Sequence, residues 1–168
     1  MIQRIWSVWT TAYARSCSVR NLMPNRSPVG SESDLSRFLG AQQATYAAAL
    51  EELRAGRKQS HWMWFVFPQI AGLGRSETAV SYGIADRAEA LAYLAHPVLG
   101  TRLIEATETV LQWGGQRTAE AIFGTVDAMK FHSSMTLFAE VAPPRAPFAT
   151  ALERFYAGAP DAATLARL

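Results

Sequence analysis

The chain has 168 residues, 49% hydrophobic and 18% charged, enough for one well-buried domain and too apolar for a disordered regulator. Its formal charge of +2 is unevenly placed: residues 1–33 carry Arg4, Arg15, Arg20 and Arg26 against Glu32 alone, which leaves 12 of the 16 basic and 13 of the 14 acidic residues in 34–168. A near-neutral folded part excludes bulk attraction to a phosphate backbone, so no nucleic acid is expected as a partner.

Residues 1–33 are rich in Ser, Thr and Arg, and Pro24, Pro28 and Gly30 break any helix there. The expectation for them is a dispensable tail or a start assigned too early, with Met23 as the alternative start; a transit peptide has a similar composition. From Asp34 the spacing predicts a helix whose face holds Leu35, Phe38, Leu39, Gln42, Tyr46, Leu50 and Leu53, with Asp34 as N-cap and Gly56 as the stop. The run from His61 to Phe67 is too uniformly apolar for periodicity to separate a buried strand from a helix, and the surrounding Ala- and Arg-rich helices favour helix. Asp86 and Glu89 have capping-box spacing and open a helix to His96. Pro97 fits the first position of the next, faced by Leu99, Leu103, Ala106, Val110 and Trp113 and closed by Gly114 and Gly115. Further helices are expected over 118–123, 127–140 and 147–157, the last closed by Gly158, with a short turn opened by Asp161. Alternating strand patterns and hairpin dipeptides are absent, so the expectation is a compact, single-domain, multihelical all-α fold over 34–168.

Chemistry concentrates in two stretches. Between Arg57 and Ser76, Trp62, Trp64, Phe65 and Phe67 stand close together, no acid lies between Glu52 and Glu77, and Arg54, Arg57, Lys58 and Arg75 are basic. Aromatic faces stack on planar rings while Lys and Arg hold phosphate or carboxylate, so the pairing suits an anionic ligand bearing a ring. Gly72-Leu-Gly74 allows backbone amides to turn toward an anion, and Ser76 is placed to cap a helix, but the third glycine and the strand of a dinucleotide fingerprint are lacking. The plainer alternative makes the aromatic run core and the glycines a turn.

The second stretch is Asp127 to Thr136. Lys130, one of only two lysines in the chain, shares a helical face with Asp127 and Ser134. Lys beside Ser suits activation of a hydroxyl nucleophile, and an Asp–Lys pair at a helix start explains the same letters structurally. Neither Ser-x-x-Lys order nor a Gly-x-Ser-x-Gly elbow is present. His61, His96 and His132 lack ligand spacing and Cys17 is alone, so neither a metal nor another cofactor is expected. A single cysteine and the absence of about 18 consecutive apolar residues fit a cytoplasmic protein without a membrane span.

The long segment Arg57–Ser76, then Tyr82-Gly-Ile84, His96-Pro-Val-Leu-Gly100 and Lys130–Phe138, resemble the bacterial domain of unknown function 1810 family over roughly Asp34 to Leu168. The resemblance implies a compact all-α domain and no particular activity. Residues 1–33 have no counterpart in the family pattern, and His132 stands where that pattern often has Arg. The calpastatin label sometimes given to such sequences does not suit a chain with 11% aromatic residues and no repeats.

Two functional expectations follow. In the first, Lys58, Trp62, Gln69, Arg75 and Ser76 bind a nucleotide-like or nucleotide-sugar-like anion opposite Lys130, Ser133 and Ser134, with His61, Lys130 and Ser134 as the catalytic candidates if the protein is an enzyme. In the second, the domain is a non-catalytic interaction or structural module. They differ on whether the two stretches meet around a space open to solvent.

Overall fold

Caps and breakers divide the chain into short helices. The computed structural model describes residues 34–168, so the expectations for residues 1–33 lie outside the described residues. Among the described residues there are nine helices: α1 Ser36–Arg54, α2 Met63–Val66, α3 Glu77–Ser81, α4 Arg87–Ala95, α5 Leu99–Leu111, α6 Ala119–Phe123, α7 Thr125–Val141, α8 Pro147–Tyr156 and α9 Ala162–Leu165. The fold is all-α. The β-like feature seen among these residues is an isolated parallel bridge between Ile70 and Ile84.

Helix α1 buries Phe38, Gln42, Tyr46, Ala49, Leu50 and Leu53, the stripe expected from the 3.6-residue period. It starts later than its capping signal suggested. Leu35 occupies the cap position without a side-chain bond, while the Asp34 carboxylate accepts from Ser36 N at 3.0 Å. At the far end Gly56 adopts φ 64°, and a Cβ there would lie 2.6 Å from the Trp113 indole. Only glycine fits both the left-handed turn and that contact.

The aromatic run supplies a single helical turn, α2, rather than a helix over His61–Phe67. Pro68 explains the difference: it disfavours helical geometry at the residue before it, and Phe67 sits at ψ 72°. The chain then runs extended, with Ile84 N donating to Gln69 O and Ala71 N to Ile84 O, each at 2.8 Å.

Ser76, Asp86, Thr118 and Asp161 cap α3, α4, α6 and α9, each side chain accepting from a backbone N–H three residues on. At α4 the Glu89 carboxylate reaches back to Ala85 N (2.7 Å) and pairs with Arg37 on α1 (2.6 Å). Helix α5 begins two residues after Pro97, and His96 Nδ1 accepts from Val98 N (3.1 Å) and Leu99 N (3.3 Å). Helices α4 and α5 approach so closely that a Cβ on Gly100 would meet Leu94 O at 1.9 Å.

Helix α7 is the central post. It packs against α4, α6, α8 and α9, while α5 packs against α1, α4 and α8. Both sides of α7 are therefore apolar, and Phe67, Phe123 and Phe131 meet in edge-on and stacked pairs beside it. The short α2 touches α1, α5 and α7, which brings the aromatic run beside Asp127 and Lys130.

Candidate functional site

Glu52 organises the approach to the site. Gly56 folds the chain back over the last turn of α1, and the Glu52 carboxylate accepts from Gln59 N (2.7 Å), Ser60 N (3.1 Å), Ser60 Oγ (2.6 Å) and Trp62 Nε1 (2.8 Å). Burial pushes this carboxyl up, but the four donors outweigh it and hold it at about 2. The indole of Trp62 is thereby fully buried with its N–H satisfied. Trp62 is a core residue at this position rather than an exposed stacking platform.

The same fold-back delivers Lys58 to α7. Lys58 N donates to Ile122 O at 2.8 Å, which fixes the loop against α6. Its ammonium then pairs with Asp127 Oδ2 at 2.6 Å, donates to Ser60 O at 2.7 Å and lies 5.3 Å from the Trp62 ring centre. Lys130 pairs with the other oxygen, Asp127 Oδ1, at 2.8 Å, and stands 4.6 Å over the ring of Trp64. Burial pushes the Asp127 carboxyl up, but the hydrogen bonds and charges of Lys130 and Lys58 outweigh it and lower it. Two ammonium groups thus share one carboxylate. Lys130 is the more open, with 21% of its side chain exposed against 9% for Lys58.

Trp64 links this cluster to the glycine loop. A Cβ on Gly74 would lie 3.1 Å from the Trp64 ring and 2.6 Å from Ala79 Cβ, so the loop rests on the indole because Gly74 lacks a side chain. Arg75 and Ser76 follow, both exposed, and Ser76 Oγ accepts from Ala79 N at 3.1 Å. The two stretches marked out by sequence therefore meet: Lys58, Trp62 and Trp64 from one, Asp127 and Lys130 from the other.

Other candidates lie apart. His61 is exposed and makes no hydrogen bond to another described residue. Gln69 is buried on the extended segment paired with Ile84. Ser133 is buried and donates to Asp161 Oδ2 at 2.9 Å, tying α7 to the C-terminal turn instead of facing Lys58. Asp161 also accepts from Thr164 N and Oγ1, and these bonds hold its carboxyl low against the upward push of burial. Ser134 is 0% exposed and its Oγ finds no partner among the described residues. It shares a helix with Lys130 but not a surface. His132 stacks on Tyr156 at 4.0 Å and its Nε2 lies 2.7 Å from Ala159 O, an arrangement that braces α8.

Asp127 and Glu52 are the carboxylates that sequence reading undervalued. Asp127 orients Lys130 as its spacing implied, yet it also captures Lys58. Among the described residues no group of three or more His, Cys, Asp or Glu gathers as metal ligands would, and no helix is long and apolar enough to cross a membrane.

No curated protein matches the chain. The crystal structure of the conserved hypothetical protein Rv1873 from Mycobacterium tuberculosis is similar, with 51% sequence identity and a TM-score of 0.78, over 80% of this chain and 96% of that one. A family model described as "protein of unknown function (DUF1810)" matches residues 32–168. The chain belongs to the DUF1810 family.

Proposed function

We propose that this domain binds a small anionic molecule bearing a planar ring, of the nucleotide or nucleotide-sugar type, at the surface where Lys58 and Lys130 meet over Asp127. The observation that carries the reading is the pairing of both lysines of the chain with one carboxylate, at 2.6 and 2.8 Å. Either ammonium can turn part of its hydrogen-bonding capacity to an incoming phosphate or carboxylate without stranding Asp127. Lys130 is the first contact because it is the more exposed. The half-buried Trp64 beneath it offers the ring surface, and Arg75 extends from the adjoining loop.

The reading is one of binding. Lys58 and the buried Trp62 underlie the lysine pair and Ser76 caps the helix after the glycine loop, whereas Gln69 and Ser133 take no part. His61, exposed and next to Trp62 in the chain, is the acid–base candidate of this reading, whereas the enclosed Ser134 takes no part. A cytoplasmic setting accords with the lone Cys17.

Differential scanning fluorimetry against nucleotides, ADP-ribose and sugar phosphates tests the proposal. A ligand at a hundredfold excess over its dissociation constant stabilises by about 2.7 kcal/mol, and Lys130→Met is expected to abolish the rise in Tm. The burial of Trp62 favours the second reading, a non-catalytic structural or interaction module. Absence of any shift across the panel supports that alternative.

A further inference from the structure

A depression of about 300 Å3 lies between the α5–α6 connection and the C-terminal half of α8. It is lined by Gly115, Gln116, Arg117, Thr118, Arg154 and Phe155 and includes none of the Lys58–Asp127–Lys130 cluster. Arg37, Arg54 and Arg87 each pair with a carboxylate. Arg117 and Arg154, by contrast, form no ion pair or side-chain hydrogen bond with another described residue, although Glu120 and Glu153 are near in sequence.

Both arginines are exposed, and each touches one neighbour. The Arg117 guanidinium lies 5.0 Å from the Trp113 ring centre, and Trp113 is itself anchored by its Nε1–H to Leu53 O at 2.9 Å. The stem of Arg154 runs along Gly114, where a Cβ would come within 3.4 Å of its Cδ. Gly115, at φ 81°, turns the chain between Gly114 and Arg117. Phe155, half-buried and 6.1 Å from Phe131, gives the depression an apolar side. Two forked donors line one depression without a carboxylate partner among the described residues, a pairing suited to the oxygens of a phosphate.

We infer that this depression is an anion site separate from the one proposed above, taking the phosphate group of a small phosphorylated molecule. Arg117 and Arg154 clamp the phosphate oxygens, and Phe155 contacts the group that carries it.

The test is a titration of the full chain with phenyl phosphate and, in parallel, inorganic phosphate, followed through the backbone amide resonances of Gly115 and Gln116. Saturable shifts below about 20 mM are expected, with phenyl phosphate the tighter ligand. The Arg117→Ala/Arg154→Ala variant, altered only at exposed positions, should keep its Tm and bind at least about tenfold more weakly. Lys130→Met should leave these shifts unchanged, which separates this site from the first. Stationary Gly115 and Gln116 resonances, or equal shifts in the double-arginine variant, would overturn the inference.

Discussion

Replacing Glu52 removes the acceptor on which the turn from Gln59 to Trp62 is wound. In Glu52→Ala the Trp62 Nε1–H stays buried without a partner, at a cost of about 1–3 kcal/mol, and the bonds to Ser60 and Gln59 revert to water. The acidity of the carboxyl gives a second measure. A fall from 4.5 to about 2 corresponds to about 3.5 kcal/mol at about 1.4 kcal/mol per pKa unit. Glu52 is only half-buried, and screening by water reduces that to about 1–2 kcal/mol. Because folding lowers this pKa, the stabilisation is complete above the unfolded value of 4.5 and is lost as pH falls through the folded value near 2. Urea denaturation at pH 7 should place Glu52→Ala about 2–3 kcal/mol below the wild type, with Glu52→Gln less affected. Between pH 5 and pH 2 the gap between wild type and Glu52→Gln should close by about 1–2 kcal/mol. A Glu52→Ala chain within about 0.5 kcal/mol of wild type, or a gap independent of pH, would refute the reasoning.

Asp127→Asn leaves two ammonium groups beside each other, so it should cost about 2–4 kcal/mol in urea denaturation, more than Lys130→Met. Since the folded pKa of Asp127 is lowered, that difference should shrink as pH falls below the unfolded value of 3.8. Gly100→Ala drives a Cβ into Leu94 O and should destabilise by about 3 kcal/mol or more, read as a drop in Tm. Ser134→Ala deletes an enclosed hydroxyl that has no partner and should be neutral or stabilising by up to about 1 kcal/mol. A large loss in that variant would give the hydroxyl a role that its surroundings do not suggest.

Local signals proved legible where the cause is local. Ser76, Asp86 and Asp161 cap the helices that their positions implied, and the α1 stripe follows from period alone. The aromatic run was ambiguous because composition says only that it is buried; Pro68 cuts the helix after one turn, and α1, α5 and α7 enclose it. Helical spacing placed Asp127 and Lys130 together correctly but misled for Ser134. On a helix covered on several sides, sharing a face with an exposed lysine says little about exposure, and every residue from Ser133 to Phe138 is buried. The capture of Lys58 by Asp127 depends on the loop being fixed to Ile122 O, a contact between segments distant in sequence that no local pattern encodes. Glu52 escaped notice for a related reason: its donors come from a chain reversal whose direction is set by the close contact of Gly56 with Trp113.

The indole N–H resonances offer the most direct view of ligand binding at the lysine pair. Titration of the full chain with adenosine monophosphate should move the Trp64 indole signal saturably, because Trp64 lies under the more exposed lysine. The Trp113 signal, whose N–H is committed to Leu53 O, should stay in place, and Lys130→Met should suppress the Trp64 response. A Trp64 signal that does not move at millimolar nucleotide, or moves equally without Lys130, would contradict the account.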